Sequence, residues 1–150
     1  MTEIGDTETQ CTPDPSRRIR VFFYGLFMDA GALRAKGLDP MHPRRAAVSQ
    51  FSLRIGQRAT LVPDSEGRAY GVLMDLRHDE IDRLYGDPSV QMYRPEALLA
   101  ELDDGSRATA LCFNLPEAPA PDERNEQYAE RLRDLTRRLG LPESYVDRMA

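Results

Sequence analysis

RIRVFFYGLFM, residues 18 to 28, places Ile19, Val21 and Phe23 on one face of an extended segment and the β-favouring Phe22 and Tyr24 on the other. A buried strand ending at Gly25 is expected. Asp29 then stands at the N-cap of a helix expected over Ala30 to Lys36, with Met28 and Leu33 at the two positions of a hydrophobic staple and Gly37 as the stop. The unit is strand, glycine turn, helix. Backbone N–H groups at such a turn are preoriented donors for a carboxylate or phosphate, although the same unit also occurs as a plain connection.

Outward from this unit the chain is mostly β. Ala46 to Ile55 alternates Ser49, Phe51, Leu53 and Ile55, and Thr60 to Val62 is expected to pair with Ala69 to Leu76 around the turn PDSEGR. Asp79 to Tyr85 gathers Leu76, Ile81, Leu84 and Tyr85 near one helical face, closed by Gly86 and Pro88. Arg94 to Leu102 and Arg107 to Leu115 form a hairpin joined at Asp103-Asp104-Gly105. After the connector PEAPAPD, Tyr128, Leu132, Leu135 and Leu139 recur at helical spacing. Gly140 ends that helix, and Pro142 opens a last short turn carrying Tyr145, Val146 and Met149. About six strands and three or four helices make an α+β domain over residues 18 to 150, on a curved mixed sheet or small β-barrel.

Residues 1 to 17 (MTEIGDTETQCTPDPSR) bury almost nothing and are expected as a disordered tail. The chain has 150 residues, 41% of them hydrophobic, so a single core is expected without metals or disulfides. The formal charge is -5, and Lys36 is the only lysine among the 20 cations. That balance argues against nucleic acid as a partner. The polar, acidic start lacks a signal peptide's basic and apolar regions, and no apolar run approaches membrane-spanning length. A cytoplasmic protein, monomer or homodimer, with no membrane partner is expected. Cys11 and Cys112 supply no disulfide framework.

Several chemistries lack their residues. His42 and His78 have no His or Cys at ligand spacing, so no metal site is expected, and Asp79 and Glu80 read as solvated acids at a helix start, favoured by its macrodipole. No Gly-x-Ser-x-Gly, Walker-type loop or Gly-x-Gly-x-x-Gly occurs, and Cys112 has no local activator. No cofactor is expected.

Four pieces taken in order resemble the gamma-glutamylcyclotransferase-like family, which includes the AIG2-like proteins. They are Tyr24-Gly25-Leu26-Phe27-Met28, like the family's "YGSN/YGTL" opening; Arg68 to Leu73, like its "xVxGxLY" strand; Glu80 to Gly86, like its "LDxxEG" helix, followed by Tyr93-Arg94-Pro95; and Gly140 to Tyr145, like its "GLPxxY" tail. The resemblance spans residues 20 to 148. It implies a small mixed barrel with flanking helices and a cavity at the first turn, where a small γ-glutamyl or amine-bearing ligand is held by the backbone of Gly25, Leu26 and Phe27 with Tyr24 in the wall. In that family a glutamate takes a proton from the substrate's α-ammonium, and the freed amine attacks the γ-carbonyl to release 5-oxoproline.

Tyr85 occupies the place of that glutamate. A tyrosine with pKa near 10 must lose about three units to act as a base at neutral pH, about 4 kcal/mol, whereas a carboxylate is already ionised. Tyr85 therefore reads either as a catalyst or as a wall residue. Asp82, one turn earlier, and Asp87, just after Gly86, are the candidate substitutes, and the bland reading of both is as solvated acids. Tyr93 and Arg94 are expected at the cavity mouth, Arg94 suited to a substrate carboxylate. A non-catalytic binding module on the same fold is the rival expectation.

Overall fold

In the computed structural model, which describes residues 17–149, strand β1 (Arg18–Phe23) is covered on both faces, with Val21, Phe22 and Phe23 all buried. The cause is its place in a closed barrel. β1 pairs antiparallel with β3 (Ala59–Arg77) and parallel with β5 (Arg107–Asn114), while β2 (Met41–Ile55) and β4 (Arg94–Leu102) complete the order β1-β3-β2-β4-β5. One face of β1 fills the interior, and the other is covered as well. The architecture is α+β, as the sequence implied.

There are five strands where six were expected, and the difference lies in PDSEGR. Thr60 to Val62 does not fold back on Ala69 to Leu76; both segments pair with β2, in registers such as Ser52↔Val62 and Val48↔Ala69. The polar residues leave the ladder as a bulge between Phe51↔Pro63 and Ser49↔Arg68, opposite Gln50, whose φ is 69°. Asp64 organises it by accepting from the Ser52 hydroxyl and from Glu66 N–H. No hairpin turn forms at PDSEGR, and the pairing expected across it does not occur. The β4–β5 hairpin at Asp103-Asp104-Gly105 forms as expected, Gly105 taking φ 87°.

Helix α1 (Ala30–Ala35) begins where Asp29 accepts from Gly31 N–H at 3.0 Å, and the staple pair Met28 and Leu33 is buried. A single 3-10 turn, Leu26–Met28, joins β1 to it. Helix α3 (Glu126–Arg138), capped by the Asn125 side chain, buries Ala129, Leu132 and Leu135 against that turn and against α4 (Glu143–Asp147). Burying each such leucine contributes about 1.5–3 kcal/mol. The last helix therefore anchors the first turn.

Helix α2 (His78–Tyr85) corrects the reading of Glu80 as a surface acid. Its carboxylate is 0% exposed, accepting from Asp39 N–H at 2.5 Å and Arg77 N–H at 2.8 Å, with the Arg18 and Arg77 guanidinium groups at 3.4 and 3.6 Å. It ties β1, β3, α2 and the segment after α1 together. The expected tail, residues 1 to 17, lies outside the described residues apart from Arg17. Among the described residues no helix is long and apolar enough to cross a membrane.

Candidate functional site

A cavity of about 670 Å3 opens where β1 runs out into the 3-10 turn. Its walls come from five places in the chain: Tyr24 to Phe27; Lys36 and Leu38 after α1; the β2–β3 hairpin tip, Gln57 to Ala59; the end of α2 with the loop to Tyr93; and Tyr128 and Arg131 of α3. Phe113 of β5 forms part of the floor. The hairpin tip is tied in place, since Gln57 N–H donates to Glu123, Gln57 O accepts from Asn125, and Arg58 Nε donates to Ser89 O at 3.0 Å.

Eight of the chain's 11 aromatic residues line this space. Tyr85 stacks on Phe113 with centroids 3.9 Å apart, and meets Phe27 and Tyr93 edge-on at 5.9 and 6.2 Å. Burial pushes its hydroxyl pKa well above the ordinary tyrosine value, with further small pushes from Cys112, Tyr93 and Tyr128. Such a group is neutral at physiological pH and is a donor, not a base. Tyr24 donates to Phe113 O at 2.7 Å and Tyr93 to Ala59 O, while among the described residues the Tyr85 hydroxyl has no hydrogen-bond partner. Burial likewise raises the pKa values of Tyr24, Tyr93 and Tyr128.

Gly25 has a specific reason to be glycine. Its backbone is extended, at φ -109°, but a Cβ there would meet the Tyr128 hydroxyl at 2.7 Å. The nearby Leu26 backbone opposes the rise that burial causes in that hydroxyl's pKa. A side chain of the last long helix thus stands directly against the turn. Sequence reading gave Tyr128 only a helical face; its approach to Gly25, far back in the chain, has no local signal.

Of the other residues expected here, Gly25, Leu26, Phe27, Tyr24, Tyr85 and Tyr93 line the cavity together, and so does Asp87. Asp87 spends its carboxylate on Ser89, accepting from N–H at 2.9 Å and from the hydroxyl at 2.8 Å, and these bonds, aided by Lys36, hold its pKa below the usual range. Two expectations fail on geometry. Asp82 is exposed and lies off the lining, because α2 turns Ile81 and Leu84 inward and its other face to water. Arg94 is also exposed and off the lining. The strand direction sends Tyr93 inward, and the Arg94 guanidinium closes over the carbonyls of Gln91, Met92 and Tyr93 at 3.3–3.4 Å.

The charges that do line the cavity are Lys36, Arg58, Arg83 and Arg131, with Asp87 as the one acid. None of the four cations forms an ion pair among the described residues. Six arginines elsewhere do, Arg18, Arg44, Arg45, Arg68, Arg77 and Arg137 holding carboxylates at 2.6–3.4 Å, while others such as Arg54 and Arg107 are also without an ion pair among the described residues. An acidic chain has gathered unpaired positive charge at one opening. The sequence offered only the remark that Lys36 is its sole lysine.

No protein-family model matches the sequence, and no curated protein matches it. Solved structures do match. A structure titled gamma-glutamyl cyclotransferase superposes with a TM-score of 0.71 at 17% identity, covering 89% of this chain and 88% of that one. The chain has the gamma-glutamylcyclotransferase-like fold. An uncharacterised human protein matches with a TM-score of 0.71 at 18% identity, over 90% of this chain and 89% of its own. A yeast gamma-glutamyl cyclotransferase specific to glutathione matches with a TM-score of 0.61 at 12% identity, over 88% of this chain and 93% of its own.

Proposed function

We propose that this chain is a small-molecule binding protein on the gamma-glutamylcyclotransferase-like fold, taking a carboxylate-bearing ligand into the cavity at the Gly25 turn without converting it to 5-oxoproline. The observation that carries this reading is the lining charge: four cations without a carboxylate partner among the described residues, above a floor of aromatic rings. All four are exposed at the opening, where such cations attract an anion, and arginine holds a carboxylate with two parallel hydrogen bonds. The same charges disfavour an amine as the group that enters first.

Turnover by the family's route needs a group that removes a proton from the α-ammonium. Tyr85 is neutral, stacked and raised in pKa, and Asp87 is held by Ser89. Asp82 lies outside the cavity. A second reading, release of 5-oxoproline by intramolecular cyclisation, is favoured by one feature, the turn Gly25 to Phe27 on the cavity wall.

Incubation of the purified protein with γ-glutamyl dipeptides, γ-glutamyl amines and glutathione, followed by assay for 5-oxoproline, separates the two. The binding reading expects no product from any of them, together with product or none from Tyr85→Glu according to whether the rest of the site is still poised. Product from the unmodified protein establishes the second reading.

A further inference from the structure

We infer that the ligand of this cavity has a flat aromatic body and carries two or more negative charges, as an aromatic dicarboxylate or an aryl phosphate does. The inference rests on the anion-binding reading above and adds the chemistry of the ligand's body and its charge.

The body follows from where the aromatic residues are. Tyr85, Phe27, Tyr93 and Phe113 form a connected set of edge-on and stacked rings, and Tyr128 closes the opposite side against the turn. Edge-to-face and offset contacts favour a further ring over an aliphatic chain of equal area. A cavity of about 670 Å3 also lies within the usual range for small-molecule sites, wide enough for a ring system.

The charge follows from the count at the rim. Lys36 and Arg83 come from α1's end and α2, Arg58 from the hairpin tip and Arg131 from α3, so positive charge faces the opening from several sides. Arg83 donates only to Gly37 O, at 3.5 Å, and Arg58 Nε to Ser89 O, which leaves most guanidinium donors of both unspent. Asp87 offsets one charge of the four, so a single carboxylate would leave the rim positive. The Tyr85 hydroxyl adds a neutral donor with no partner among the described residues.

Because Lys36 is the only lysine, its acetylation reports on rim occupancy at one peptide in a mass spectrum. The probes are isophthalate, 1-naphthyl phosphate, benzoate, glutarate and benzyltrimethylammonium, each titrated against the rate of Lys36 acetylation and against the thermal midpoint of the full chain. Isophthalate and naphthyl phosphate are expected to protect Lys36 and raise the midpoint at concentrations about tenfold below those needed for benzoate or glutarate. Protection should weaken as salt is raised and in Arg58→Ala and Arg131→Ala, and Phe27→Leu should reduce the preference for isophthalate over glutarate.

Glutarate acting as well as isophthalate overturns the aromatic body and leaves anion binding standing. Benzoate acting as well as isophthalate overturns the second charge. Benzyltrimethylammonium acting best overturns the charge assignment, and no effect from any anion overturns the anion-binding reading itself. Naphthyl phosphate outperforming isophthalate, or the reverse, assigns the anionic group as phosphate or carboxylate within the inference.

Discussion

At the start of α2, Glu80 is a fully buried carboxylate surrounded by two backbone N–H groups and two arginines; at its end, Tyr85 sits among aromatic rings with no hydrogen-bond partner among the described residues. One short helix shows both what this chain does to keep a buried carboxylate and what it has built instead at the position where the family resemblance calls for one. Donors supplied by four separate groups make the first end a structural joint. At the second end those donors are replaced by rings, and the positive charge stands farther out, at the rim of the cavity. A carboxylate needed for proton transfer would find no comparable first contacts at Tyr85.

This comparison can be broken most forcefully at Glu80. Glu80→Gln leaves two backbone N–H groups and two part-exposed arginines facing a buried amide, and chemical denaturation should show a loss of about 2–4 kcal/mol. A loss no larger than that of an exposed acid such as Asp82 would remove the distinction between the two ends. Next is the turn opposite Tyr85. Gly25→Ala pushes a methyl group into the Tyr128 hydroxyl and should cost about 1–3 kcal/mol, with part of the loss recovered in the Gly25→Ala, Tyr128→Phe double variant. Equal losses in the single and double variants would place the strain elsewhere.

The aromatic end also has a pH signature. Burial raises the folded-state pKa of Tyr85 and, away from this end, that of Tyr145 beside Tyr70, which is pushed up to about 12, from an ordinary value near 10. Between those values the unfolded chain releases protons that the folded chain keeps, so stability is full below about pH 10 and falls as pH rises toward the folded pKa values. Each such tyrosine contributes a slope of about 1.4 kcal/mol per pH unit. Tyrosinate absorbance should therefore appear together with the loss of structure in an alkaline titration; tyrosinate forming first, in an intact fold, would contradict the buried neutral hydroxyls. The smallest expected effect is Tyr85→Phe, which removes a hydroxyl without a partner. Stability should change by less than about 0.5 kcal/mol while anion protection of Lys36 weakens.

Much of the barrel was legible because period and turn chemistry are local. The alternation of Ile19, Val21 and Phe23, the Asp29 cap, the DDG hairpin and the spacing of Tyr128, Leu132 and Leu135 each report on their own neighbours in the chain. PDSEGR misled because a bulge and a hairpin turn use the same residues, and only the partner strand tells them apart. The turn and Tyr85 were found through the family resemblance. Lys36, Arg58, Arg83 and Arg131 were not, since their convergence is made by barrel closure and by α3 packing on the first turn. Glu80 was misread for a related reason: its partners Arg18 and Asp39 lie 62 and 41 residues away.

The central claim is that the cavity holds an anion it does not convert. γ-Glutamylphenylalanine tests it directly, since it offers two carboxylates, an aromatic ring and the γ-glutamyl amide that cyclisation would cleave. One NMR titration of this compound follows both binding, through broadening of its ring signals, and conversion, through the appearance of 5-oxoproline and free phenylalanine. The account predicts broadening that salt reverses, with the compound intact. Release of 5-oxoproline by the unmodified protein, abolished in Tyr85→Phe, would contradict it.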